Sequence, residues 1–235
     1  MKIHRFFISN IAVHDKQVVL TESALVHQIR TVLRLEPGEL IDLCTPDGVE
    51  YRALIHTMTS EQISCEIIQK TISDRESKKK VTLFAAILKR ENFELIVQKA
   101  VEVGVSEIVP LITARTIKTG LNLDRLTKIA QEAAEQSGRA IIPRIREPEN
   151  FNDALASCTP KETVLLDPSG IPVSTLTLNL TSYNLFIGPE GGFTPEELKE
   201  AEHRTISVGS LGVLTLRGET AAIVASYLFC SASGK

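Results

Sequence analysis

The sequence predicts a small β-barrel followed by an α/β domain with a mainly parallel sheet. Three observations carry that expectation. Residues 1–73 hold several short apolar runs separated by turn signals such as Pro37-Gly38 and Pro46-Asp47-Gly48, a density of short strands that suits a small barrel. Residues 74–80 are polar and charged throughout, without an aliphatic side chain, and read as a linker. Over residues 81–235 the apolar spacing alternates between strand and helix periods, the rhythm of an α/β fold.

In the first part the expected strands are Lys2–Ile8, Gln17–Leu20, Leu40–Cys44, Glu50–Thr57 and Gln62–Gln69, with one helix over Glu22–Leu33 capped by Thr21. In the second part Val81–Leu88 is a buried strand. Glu91–Val103 is a helix with Phe93, Ile96, Val97, Ala100 and Val101 on one face, ended by Gly104. Glu107–Ile112 is a strand, and Asp124 caps a helix that closes near Gly138. Thr163–Asp167, Tyr183–Ile187 and Thr205–Val208 are strands, and Glu196–His203 and Arg217–Phe229 are helices.

Composition narrows the class. The chain is 43% hydrophobic and 23% charged, as soluble globular proteins are. No apolar run approaches a membrane span, and the first residues lack the apolar core of a signal peptide, so a cytoplasmic protein is expected. The four cysteines have no metal-ligand spacing and read as buried thiols. Four of the five histidines lie in the first half, which argues against a metal cluster or a serine–histidine triad in the second. The net charge of −3 argues against nonspecific coating of nucleic acid, although between Lys78 and Lys118 cations outnumber anions by four. That stretch is either a solvated surface or a local basic face.

The densest signal is Gly188-Pro189-Glu190-Gly191-Gly192-Phe193-Thr194-Pro195-Glu196-Glu197, which follows a hydrophobic strand. Glycines at a strand exit allow close approach to the backbone. Thr194, Pro195 and Glu197 form a capping box for the next helix. Two other glycine-bearing loops, Asp167-Pro168-Ser169-Gly170 and Gly209–Leu214, also follow late strands. Ligands of open α/β sheets bind outside the carboxyl ends of strands, so the three loops are expected to build one cleft. No GxGxxG, GxxxxGK[ST] or HExxH motif marks it as a dinucleotide, triphosphate or zinc site. Arg217-Gly218-Glu219 opens the last helix, either as a surface ion pair or as an anion-favouring N-terminus that belongs to the cleft. Glu135-Gln136-Ser137-Gly138-Arg139 is a second polar cluster, at the end of an amphipathic helix.

Gly188–Phe193, Ser207–Gly212 and Leu216-Arg217-Gly218-Glu219-Thr220-Ala221 resemble the C-terminal motifs of SPOUT methyltransferases. More narrowly, the chain resembles the RsmE-type 16S ribosomal RNA uridine-N3 methyltransferases. His4-Arg5-Phe6-Phe7, His27–Arg34, Gln98–Val105 and Glu135–Arg139 carry that likeness from end to end. The resemblance implies a PUA-like RNA-binding barrel, a trefoil-knotted α/β catalytic domain, a homodimer, no metal, and S-adenosylmethionine as methyl donor. It implies cofactor contacts from Leu166, Asp167, Ile187, Gly188, Glu190, Gly191, Gly192, Ser207, Gly209, Leu211, Gly212, Leu214 and Leu216. Arg217 is the expected cation at the reacting base, with Glu219, then Glu190, as general base. Glu190 serves either the cofactor or the helix dipole. Arg5, Arg30, Arg34, Gln136, Arg139 and the Lys78–Lys80 run are expected to contact 16S ribosomal RNA.

Overall fold

The computed structural model describes residues 3–8, 11–13, 15–117, 119–176 and 179–231. Lys2, at the start of the first expected strand, and Lys118, at the end of the basic stretch, lie outside the described residues. The chain divides into two compact units, residues 1–76 with 134–142, and residues 77–133 with 143–235.

The first unit carries β1 (His4–Phe7), β2 (Gln17–Leu20), α1 (Ser23–His27), β3 (Leu40–Cys44), β4 (Val49–Met58) and β5 (Ile63–Ile72). The sheet order is β1-β3-β4-β5-β2, with β1 parallel to β3 and the other pairs antiparallel. Among the described residues no β1–β2 pairing closes this sheet. Two register shifts between β4 and β5 bend the long hairpin, and Phe6, Ile41, Leu43, Ile55 and Ile63 fill its concave side.

The expected single helix over Glu22–Leu33 is in fact α1 running into a π-helical turn, Gln28–Val32. Leu33 N–H bonds to Gln28 O at 2.9 Å, one residue further back than an α-helical bond. The wider turn leaves Leu25, Val26 and Ile29 in the core and Val32 in solvent. The N-cap is Glu22 rather than Thr21, and its side chain makes no capping bond.

The second unit is built on β6 (Lys80–Ala86), β7 (Glu107–Ile112), β8 (Arg144–Ile145), β9 (Glu149–Asn150), β10 (Thr163–Pro172), β11 (Ser182–Ile187) and β12 (Ser207–Ser210). All pairs are parallel, in the order β12-β10-β11-β6-β7-β8, with β9 also on β7. Its helices include α2 (Arg90–Glu102), α3 (Leu123–Ser137) as far as Ala133, α4 (Phe151–Ser157), α5 (Pro195–His203) and α6 (Gly218–Ser231). Both sheet faces are covered, as parallel sheets require. On one, Phe84, Phe151, Phe186 and Phe193 form an aromatic core, with Phe84 and Phe186 stacked at 4.4 Å. On the other, α6 packs on α2 and across β6 and β11.

Three expectations change at element ends. Asn122, not Asp124, caps α3: its Oδ1 accepts the Arg125 N–H at 2.9 Å. The Asp167–Gly170 segment is not a strand exit, because β10 continues through a register shift between Leu166 and Ile171 and pairs with β12 as far as Pro172. Thr205 is in the left-handed region at φ 59°, so the last strand begins at Ser207 and takes in Gly209 and Ser210.

Cys44 and Cys65 are buried thiols, whereas Cys158 and Cys230 are only half-buried. Burial pushes the Cys44 thiol up to about 11, although the Arg5 guanidinium lies 3.2 Å from its sulfur. No described helix is long and apolar enough to cross a membrane.

Candidate active site

Parallel pairing brings the late strand ends into one row. Leu166 of β10 stands beside Ile187 of β11 and Gly209 of β12, and Ile187 stands beside Ala85 of β6. Just past this row the chain leaves β6, β11 and β12, while β10 runs on through its register shift to Pro172 beside β12. Leu166 and Ile187 are buried there.

Gly218 closes the arrangement. A Cβ at this position would lie 3.1 Å from Leu88 Cδ1 and 3.5 Å from the Gly188 carbonyl oxygen. The start of α6 is thus packed against the exits of β6 and β11, and a side chain here would have to displace the end of Leu88 by a few tenths of an ångström. Arg217 and Glu219 are the chain neighbours of Gly218 at this contact. Asp167 meets that loop from the other side, its Oδ2 4.0 Å from where a Gly192 Cβ would stand. Asp167 Oδ1 accepts the N–H and hydroxyl of Ser169 at 3.0 and 2.7 Å, which fixes the bulge.

The expected capping box on α5 is present. Glu197 N–H donates to Thr194 Oγ1 at 3.2 Å, and Thr194 N–H donates to Glu197 Oε2 at 2.8 Å. The second Glu197 oxygen accepts the Ala114 N–H at 2.8 Å. Arg115, next in the loop after β7, donates to the carbonyl oxygens of Gly191 and Phe193. Nothing singled out Arg115 in the sequence; its only signal was membership of the basic stretch.

The side chains at this edge differ in exposure. Leu211 and Leu216 are half-buried, while Val213 and Leu214 are exposed in the loop after β12. Glu190 and Arg217 are exposed. Glu219 is 8% exposed, and its Oε2 has no hydrogen-bond partner among the described residues. A buried carboxylate oxygen without a donor is costly unless a ligand or proton completes it. The orphaned oxygen and the uncovered apolar loop suit a ligand that is cationic at one end and flat and apolar at the other. Among the described residues no group of three or more acidic, cysteine or histidine side chains could hold a metal ion.

Two of the arginines expected on RNA are buried instead. Arg5 donates to Glu50 at 2.8 and 3.1 Å and to the Arg139 carbonyl at 3.3 Å. Arg139 pairs with Glu76 at 2.6 Å, and Glu76 also accepts the Ala140 and Ile141 N–H groups at 3.0 and 3.1 Å. Their guanidinium donors face carboxylates inside the first unit. Arg30, Arg34 and Gln136 are exposed, Arg34 on a left-handed backbone at φ 55°. In the lysine run Lys79 is buried, its ammonium 5.2 Å from the centre of the Tyr183 ring.

A parallel sheet with glycine-bearing loops at the carboxyl ends of its strands is the setting in which α/β proteins bind ligands. Residues 75–229 match the family model described as an RNA methyltransferase domain. Among curated relatives, the ribosomal RNA small subunit methyltransferase E of Rickettsia conorii is 31% identical, over 96% of this chain and 94% of its own length. The protein of the same name from Mesomycoplasma hyopneumoniae is 34% identical, over 94% of this chain and 96% of its own. A crystal structure of ribosomal RNA small subunit methyltransferase E from Neisseria gonorrhoeae, bound to S-adenosyl methionine, superposes with a TM-score of 0.88 at 28% identity, covering 96% of this chain and 95% of that one. The chain belongs to the ribosomal RNA small subunit methyltransferase E family.

Proposed function

We propose that this protein transfers a methyl group from S-adenosylmethionine to N3 of a uridine in 16S ribosomal RNA of the small ribosomal subunit. The observation that carries the reading is the junction of Gly188, Gly218 and the buried, orphaned Glu219 carboxylate at the row of strand ends. In this reading Leu166, Ile187, Leu211, Leu214 and Leu216 provide the apolar slot for adenine. Asp167, Gly188, Glu190, Gly191, Gly192, Ser207, Gly209 and Gly212 line the rest of the cofactor site. The first unit is a PUA-like module that holds RNA through Arg30 and Arg34, with Gln136 adding a contact. Arg5 and Arg139 brace that module from inside, since both are buried in ion pairs. The α/β unit is knotted and dimeric. The substrate, part of the ribosome, implies work in the cytoplasm, and no metal is required.

The cofactor supplies an electrophilic methyl group, so the protein's task is positioning and charge. Uracil N3 carries a weakly acidic proton that must leave before the nitrogen can attack. Glu219 takes it, through the carboxylate oxygen that no protein donor occupies. Arg217, exposed at the mouth, faces the uracil oxygens and stabilises the charge that spreads onto them.

Calorimetry with S-adenosylmethionine and nucleoside mass spectrometry of treated small subunits test this together. Binding of the cofactor and appearance of 3-methyluridine are expected. No binding at millimolar cofactor would sink the enzyme reading, and 2′-O-methyluridine without 3-methyluridine would refute the target atom.

A further inference from the structure

Beyond the residues lining the cleft, the geometry points to Arg115 as the positioning residue that sets the glycine-rich loop in its cofactor-binding shape. This inference rests on the proposed cofactor site. Arg115 lies on the loop after β7, which enters no motif discussed above. Its guanidinium donates to Gly191 O and, at 3.2 Å, to Phe193 O. Both bonds leave the same nitrogen, Nη1, whose two N–H groups tie the two carbonyls together. Those carbonyls flank Gly192, where the backbone turns at φ 68° and the Gly192 N–H closes onto Pro189 O at 2.8 Å. Arg115 therefore braces the turn from its outer side.

Two further contacts belong to the same latch. Glu197, the capping-box carboxylate, accepts the Ala114 N–H at 2.8 Å, so adjacent residues of the β7 loop grip both ends of the segment from Gly191 to Thr194. Gly191 is fitted to the arginine: a Cβ there would lie 3.2 Å from Arg115 Cδ. Gly191 has no left-handed φ, so its lack of a side chain answers to the arginine stem and not to backbone strain. The Arg115–Gly191 pair is thus a matched unit. Without it two carbonyls lose a charged donor, and the loop must be ordered by the ligand at binding, which weakens affinity.

The test is a double-mutant cycle on the full-length protein, with S-adenosylmethionine affinity by calorimetry and proteolysis of the ligand-free protein as readouts. Arg115→Ala is expected to raise the cofactor Kd about tenfold, the scale of charge-assisted hydrogen bonds, while kcat at saturating cofactor changes less than about threefold. Arg115→Lys, which keeps the charge but loses the planar guanidinium and its reach, should fall between Arg115→Ala and the parent. Gly191→Ala should weaken binding in the parent and cost less in the Arg115→Ala background, where the stem it would strike is gone. Without ligand, Arg115→Ala should be cut faster between Gly188 and Thr194. Unchanged affinity and unchanged cleavage would overturn the inference, as would full additivity of the two substitutions. A fall in kcat with unchanged Kd would also overturn it, making Arg115 an RNA contact. Failure of the parent itself to bind S-adenosylmethionine would instead refute the cofactor site, and the cleavage result would still judge the latch.

Discussion

Arg217 is exposed and Glu219 is buried, although one glycine separates them. That contrast fits the roles proposed for them: an exposed cation can meet a substrate from outside, and a buried acceptor can take a proton from a group that enters. Arg217→Ala should lower kcat by about a hundredfold, the usual loss for one charge-stabilising donor, with cofactor Kd within a few-fold of the parent. Equal losses in turnover and affinity would make Arg217 a cofactor ligand. Residue type alone did not reveal which arginines were available. Arg5, Arg30, Arg34 and Arg139 look alike as sequence, and only the carboxylates that fold against them, Glu50 and Glu76, separate the braces from the exposed pair. Glu76→Ala would remove the carboxylate that accepts from Arg139 and from the Ala140 and Ile141 N–H groups. It should lower unfolding free energy by about 3 kcal/mol, typical of breaking a largely buried pair, as measured by urea denaturation. A loss below about 1 kcal/mol, the range of surface pairs, would show that the network is not a brace.

Among elements, those written in local chemistry were legible. The α5 capping box was visible in Thr194, Pro195 and Glu197, and it forms as read. Gly104 and Gly138 stop α2 and α3 with positive φ angles of 102° and 79°. The mainly parallel character of the second sheet followed from the alternation of strand and helix periods, while its strand order did not. Elements fixed by tertiary pairing were not legible. The strands β8 and β9 are two residues each and exist only because β7 offers them an edge. The length of β10 depends on a register shift against β12, which has no sequence signature. The π-helical turn after α1 keeps helical spacing on its buried side, so periodicity could not distinguish it from an α-helix. In the site, the glycine loop was legible and its brace was not, since Arg115 lies 76 residues from Gly191. For α5, Thr194→Ala should cost about 1 kcal/mol, the usual worth of such a cap. Because the Glu197 it helps to orient also holds Ala114 N–H, the substitution should weaken cofactor binding as well. Calorimetry showing the stability loss without any loss of affinity would separate the cap from the site.

At the scale of the whole molecule, α6 poses a question that one copy does not answer. Its inner face, Gly218, Ala222, Ala225, Ser226 and Phe229, is buried on the sheet. Its outer face carries Val224, Tyr227 and Leu228, which are 36%, 59% and 39% exposed and lie one helical turn apart. The helix is therefore apolar on two sides, and solvent is a poor partner for the second. A second copy of the same helix is the simplest cover, because a two-fold axis lets one surface complement itself. The same helix begins at Gly218, about 9 to 15 Å along the axis from Val224 and Leu228, so pairing there would bring a second copy to the flank of the candidate active site. A charge introduced on this face would meet its own image across the axis, and repulsion would add to desolvation. Leu228→Glu should therefore convert a dimer into a monomer in analytical ultracentrifugation while leaving the circular dichroism spectrum unchanged. Methyl transfer should fall with it, and should return as protein concentration is raised if the interface is weakened and not abolished. A parent protein that sediments as a monomer at working concentration would defeat the dimer reading. A monomeric variant with full activity would show that pairing is not needed to complete the site.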